Sequence, residues 1–247
     1  MSFTPKTMLL LSLLSPPAWG GGNIKIKHFS QAKRLAREIH QEHPYTIYCH
    51  CRYEGQTINL KSCGYQSPHH SKRAQKLEWE HVVPAEAFGQ SFPDWKEGSP
   101  FCIRKSKKYK GRACAKNNPA FSYIESDLYN IWPEIGELNG LRSNYSMAEL
   151  STQKLSPFGK CKVKIENRKF EPMPLAKGRI ARTYLYMNQA YPGRGIISEK
   201  NRKLFESWDK LNPVDRWECQ RAEKIKKIQG NENPILKTRC KPEKTDQ

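Results

Sequence analysis

EWEHVVPAEAFG, residues 78–89, sets two carboxylates, Glu78 and Glu80, beside the imidazole of His81 and directly ahead of an apolar pair. Were this stretch a regular strand, Glu78 and Glu80 would share a face and His81 would point the other way. Glu80 and His81 can then serve one substrate group only where the strand bends or ends. A companion stretch follows at residues 125–145, ESDLYNIWPEIGELNGLRSNY. Pro133 suits the first position of a helix, where its missing N–H costs nothing. Ile135, Leu138 and Leu141 recur at helical spacing and give that helix a buried side. On this reading Asn139 lies nearly two turns in, offset from the apolar stripe and held rigidly.

The surrounding chain is strongly basic: 43 Lys and Arg against 24 Asp and Glu in 247 residues, a formal charge of +19. Such a charge calls for an anionic partner, and nucleic acid, an anionic membrane surface and acidic polysaccharide all qualify. No long amphipathic basic helix or lipidation site argues for a membrane, which leaves nucleic acid as the leading partner. Hydrophobic content of 37% is low but spread along the chain, enough for one packed core.

Residues 1–20 read as a signal peptide: Lys6 at the start, an apolar run from Met8 to Leu14, then Pro16, Pro17 and small residues, with cleavage near Gly20. The run is far shorter than the roughly 20 residues of a membrane-spanning helix. Periplasmic or secreted localisation follows, with residues 21–247 as a single domain. Export agrees with eight cysteines, an even number that points to four disulfides. Cys102 with Cys114 and Cys219 with Cys240 are the expected local pairs. Cys49-His50-Cys51 lacks the paired spacing of structural zinc sites.

Hydrophobic pattern predicts a helix over 29–43 with Ser30 as its cap, then a strand over 45–49 rich in β-branched and aromatic residues. In KCKVKIE, Lys160, Lys162 and Lys164 alternate with Cys161, Val163 and Ile165, and Asn167-Arg168 turns the strand into a hairpin. Further helices are marked by Ile180, Tyr184 and Met187, by Leu204, Trp208 and Leu211 behind Ser198, and by Trp217, Ile225 and Ile228 ahead of Gly230. The expected fold is α+β, one mixed domain stapled by disulfides.

Together the stretches CRYEG, EWEHVVPAEAFG, GRACAKN, DLYNIWPEIGELNGLRSNY, RIARTYLYM, NPVDRWEC and KIQGNENP resemble the bacterial endonuclease I family, exported nucleases built around a ββα-metal (His-Me finger) motif. The resemblance covers nearly all of the expected mature chain. It implies that His81 is the general base and that Glu80 and Asn139 are the protein ligands of one Mg²⁺, for which Mn²⁺ can substitute. It further implies that Arg112 contacts the scissile phosphate and that Asn130 ties together the loop between the two strands. These parts suit the chemistry. Phosphodiester hydrolysis needs a base for water, a cation for the charge on phosphate and a proton for the leaving oxygen. Imidazole accepts a proton near neutral pH provided its second nitrogen donates to a fixed acceptor, here expected to be a backbone carbonyl. Two hard oxygens leave room for phosphate and water around magnesium. Glu78 and Glu125 stand outside this core as possible supports for Arg112 or the metal.

The activity implied is cleavage of DNA by a monomer, with RNA left open as a second substrate, to 5′-phosphate fragments and with little sequence preference. The alternative is an exported basic protein that binds nucleic acid on the same scaffold without catalysis, which gives Glu80, His81, Asn130 and Asn139 no joint purpose. His69-His70 and the basic run RKSKKYK, residues 104–110, read as solvated loops, the latter placed where it can meet phosphate.

Overall fold

The computed structural model describes residues 21–151 and 155–240, so the expected signal peptide lies outside the described residues. Helix α1, Phe29–Ile39, buries Ala32, Ala36 and Ile39 and begins at His28, not at a Ser30 cap. Residues 45–49 are not a strand. Thr46 accepts from the N–H of Cys51 through its hydroxyl (2.9 Å) and donates to the Cys51 carbonyl (2.9 Å), closing a buried loop. Tyr45 makes only an isolated antiparallel bridge with Arg52, and the apolar character of the segment reflects burial of residues 46–49 without a strand ladder. A small ribbon follows, β1 (Tyr53–Glu54) and β2 (Thr57–Ile58).

The centre of the molecule is β3, Leu77–His81, antiparallel to β6, Ile131–Ile135, with Glu80 opposite Trp132 and His81 opposite Ile131. Between them come α2 (Ala85–Gly89), α3 (Pro93–Lys96), the hairpin β4 (Ile103–Arg104) and β5 (Lys107–Lys108), α4 (Arg112–Ala115) and α5 (Pro119–Glu125). Every residue of β6 is buried, and α6, Gly136–Arg142, begins directly after it. Pro133 is therefore a strand residue, not the first of a helix, and Asn139 stands in the first turn of α6. A two-stranded sheet has only edges, where a residue without an N–H is tolerated. The Pro133 carbonyl is used outward, accepting from Ile47 at 3.0 Å.

Beyond the ββα unit, β7 (Ser146–Met147), β8 (Lys164–Glu166) and β9 (Lys169–Glu171) form a small sheet in the order β7-β9-β8. The expected hairpin is present, its turn at Asn167-Arg168, and Cys161 and Val163 are buried while Lys160 and Lys162 are exposed. Helices α7 (Pro174–Ala190), α8 (Glu199–Leu211), α9 (Arg216–Gln229) and α10 (Pro234–Lys237) complete an α+β domain. Leu211, expected in the core, is 73% exposed because it ends α8 beyond the packed Trp208. Arg221 of α9 fixes this helical layer to the central strand. It donates to the carbonyls of Leu128 (2.6 Å) and Ile131 (2.9 Å) and lies over the Trp132 ring at 3.8 Å.

All eight cysteines pair. Cys102–Cys114 and Cys219–Cys240 are the two expected local bridges; Cys51–Cys63 is a third, and Cys49–Cys161 spans 112 residues. Crosslinking a long loop removes much unfolded-chain entropy. Replacing Cys49 and Cys161 together by serine is expected to cost about 2–5 kcal/mol. Urea unfolding of the oxidised chain measures this, and an unchanged midpoint would contradict it.

Candidate active site

His81 is the last residue of β3 and is 8% exposed. Its Nε2 lies 2.7 Å from the carbonyl oxygen of Glu125. A carbonyl can only accept, so Nε2 carries the proton and the neutral ring keeps its lone pair on Nδ1. Phe29 packs against the ring at 4.5 Å between centroids. Burial pushes the imidazole from its ordinary 6.5 down to about 3, with Arg112, Lys116 and Arg142 adding to the shift and the Glu125 carbonyl opposing it. The folded value lies below the unfolded one, so the unfolded chain takes up a proton that the folded one refuses. The stability this group contributes is full above 6.5 and is lost progressively as pH falls from 6.5 towards 3. In ¹⁵N spectra His81 is expected to remain the neutral Nε2–H tautomer at pH 5.5; titration with a midpoint near the ordinary value would contradict this.

Glu125 links this imidazole to Arg112. Its carbonyl receives His81, and its carboxylate, nearly fully buried, takes Arg112 Nε at 2.5 Å and Lys116 Nζ at 3.7 Å. Arg112 opens α4 and is half-exposed, its guanidinium 5.4 Å from the centre of the Phe29 ring. With Nε committed to Glu125, its outer nitrogens are free to meet an anion. Cys114, in the same short helix, is bridged to Cys102.

On the other side of β3, Glu80 is 3% exposed. Its Oε1 accepts from the Tyr48 hydroxyl at 2.6 Å and pairs with Arg142 at 3.1 Å. Burial raises its pKa, while Arg142 and Tyr48 pull it down. Arg142 also donates to the carbonyls of His81 (3.1 Å) and Val82 (2.6 Å), so one guanidinium joins the Glu80 carboxylate to the backbone that carries His81. Asn139 meets Glu78 instead of Glu80: its Nδ2 donates to Glu78 Oε2 at 2.9 Å, and Arg73 grips the same carboxylate at 2.7 and 2.8 Å. Asn130, fully buried, accepts from the Val83 N–H at 2.7 Å and donates to the Val83 carbonyl at 3.0 Å. The turn after His81 is thereby clamped to the start of β6.

Glu80, His81 and Asn139 thus lie on adjoining elements with separate side-chain partners. The donor set suits a hard divalent cation. Glu80 Oε2, the carboxylate oxygen not bonded by Tyr48 and Arg142, and Asn139 Oδ1 are both oxygens of the kind magnesium takes. Among the described residues no group of three or more His, Cys, Asp or Glu is placed to hold a metal ion, and a cation on the two oxygens of Glu80 and Asn139 would take the rest of its shell from water and phosphate. Tyr48, Arg73 and Arg142 were not legible as site residues. Arg142 alone had a signal, its place in the matching stretch NGLRSNY.

A β-strand pair followed by a helix, with a buried imidazole at the end of the first strand, defines a ββα unit of the kind the sequence led us to expect. Comparison with known proteins places it: the family model Endonuclease I matches residues 25–240, and the chain belongs to the endonuclease I family. It is 42% identical over 221 residues to Endonuclease-1 of Buchnera aphidicola subsp. Acyrthosiphon pisum, covering 87% of this chain and 82% of that one. It is 37% identical over 246 residues to an extracellular deoxyribonuclease of Aeromonas hydrophila, covering 96% and 99%. A periplasmic deoxyribonuclease of the same species is 38% identical over 219 residues, 86% of each.

Proposed function

We propose that this chain is an exported, Mg²⁺-dependent endonuclease that hydrolyses the phosphodiester bonds of DNA with little sequence preference. The observation that carries the reading is the His81 tautomer: a buried ring whose Nε2–H is spent on the Glu125 carbonyl and whose Nδ1 is left to accept a proton. In the proposed reaction Nδ1 takes a proton from the attacking water as its oxygen bonds phosphorus, the P–O3′ bond breaks to leave a 5′-phosphate, the departing 3′ oxygen takes a proton from solvent, and the imidazolium is held by that carbonyl. Depression of the pKa keeps the base form available, and an anionic substrate against Arg112 and Lys116 offsets the two cations that hold it down. Arg112, aimed by Glu125, binds a non-bridging oxygen of the scissile phosphate. Glu80 and Asn139 would hold the cation, which would supply charge stabilisation as negative charge builds up on the phosphate oxygens. Arg142 and Tyr48 fix the Glu80 carboxylate, and Asn130 fixes the turn behind His81.

Release to the periplasm or medium agrees with the names of the relatives and with four disulfides. Among the described residues no helix is long and apolar enough to cross a membrane. Plasmid nicking by the purified, oxidised chain in Mg²⁺, and its loss in EDTA, tests the proposal; DNA binding without cleavage in Mg²⁺ or Mn²⁺ would replace it with the non-catalytic alternative. RNA cleavage is tested in the same assay.

A further inference from the structure

Between Gly98 and Ile124 the chain has no Asp or Glu, and within that stretch the β4–β5 hairpin and the turn leading into it expose two large apolar side chains. Phe101 is 87% exposed and Ile103 59%, while Cys102 between them is fully buried. Cys102 is held inward by its bridge to Cys114, while Phe101, in the turn that Cys102 closes onto the Ser99 carbonyl (3.0 Å), and Ile103, the first residue of β4, stay exposed on either side of it. Lys108 stands directly opposite Ile103, and Arg104 pairs with Lys107. Among the described residues none of Arg104, Lys105, Lys107, Lys108 and Lys110 has an ion-pair partner. The tip residues Lys105 and Ser106 hold φ of 49° and 60°, left-handed values that cost a non-glycine residue energy but match the twist of a tight hairpin. The hairpin is a stiff projection, because Cys102–Cys114 ties it to the short helix that carries Arg112.

An apolar pair ringed by unpaired cations fits a polyanion that also offers flat apolar surface, and nucleic acid offers both phosphates and base faces. We propose that this hairpin is a DNA-docking wedge: its cations sit on phosphates while Phe101 and Ile103 press into the groove and unstack a base step beside the phosphate at Arg112. The inference rests on the reading of the site as one that works on DNA, and adds the element that grips and deforms it.

The test uses the full, oxidised chain carrying His81→Ala, in EDTA, titrated into a duplex with a central 2-aminopurine. Binding is expected to raise the fluorescence of the probe. Phe101→Ala with Ile103→Ala is expected to weaken binding about tenfold or more and to abolish the rise, leaving the salt dependence unchanged. Lys105→Ala, Lys107→Ala and Lys108→Ala together are expected to lower the slope of log affinity against log salt by about 2–3. Far-UV circular dichroism shows that each variant is folded. Unchanged affinity and fluorescence in the Phe101/Ile103 variant overturn the wedge. So does loss of binding to phosphatidylserine vesicles with DNA binding intact, which assigns the face to membranes. Nicking in Mg²⁺ by the parent chain, in which His81 is intact, separates the two proposals. A parent that nicks while its Phe101/Ile103 variant binds normally loses only the wedge, and a parent that never nicks while that variant loses the fluorescence rise loses only catalysis.

Discussion

His81→Ala is expected to lower the single-turnover rate of plasmid nicking in Mg²⁺ by about 10²–10⁴-fold, the range associated with losing a positioned general base. The loss should fall on the chemical step. Arg112 and the basic surface remain, so affinity for DNA should stay within a few fold of the parent. His81→Gln separates the base from the hydrogen bond: its amide can still donate to the Glu125 carbonyl, yet it cannot take a proton at neutral pH. Both variants should therefore be similarly impaired. If the glutamine variant nicked at the parental rate, His81 would be a structural ring and not a base.

Arg142→Leu should be the most damaging single change to stability. Arg142 is 1% exposed, and it holds the buried Glu80 carboxylate, the carbonyls of His81 and Val82, and the Tyr184 hydroxyl at 3.3 Å. Removing it strands a carboxylate and two carbonyls away from water, a loss of about 3–5 kcal/mol. Glu80→Gln on top of Arg142→Leu should restore part of this, since a neutral amide is cheaper to leave buried than a charge. Urea unfolding of the two variants and the parent gives the comparison. A single-variant loss below about 1 kcal/mol would mean that Glu80 is already protonated or solvated in the native protein.

What the sequence made legible was local. EWEH ends a strand, α7, α8 and α9 follow their apolar spacing, and two of the three short-range disulfides were apparent from nearby cysteines. Pro133 misled because proline is a common first residue of helices and a rare one of strands; only the pairing partner, Trp79, reveals that the sheet is narrow enough to accept it. Residues 45–49 misled for a related reason, since β-branched and aromatic residues favour burial as much as pairing. The supports of the site were illegible because they come from afar. Tyr48 reaches Glu80 across 32 residues and Arg142 reaches the His81 carbonyl across 61, separations that no periodicity records. The contact between Asn139 and Glu78 was equally illegible, since it joins α6 to β3 across 61 residues.

Mn²⁺ titration of the oxidised chain, followed by electron paramagnetic resonance, tests most directly whether Glu80 and Asn139 hold one cation beside His81. One ion per chain is expected, with Glu80→Gln and Asn139→Ala each weakening it by about tenfold or more. Parental affinity and stoichiometry in both variants would contradict the assignment.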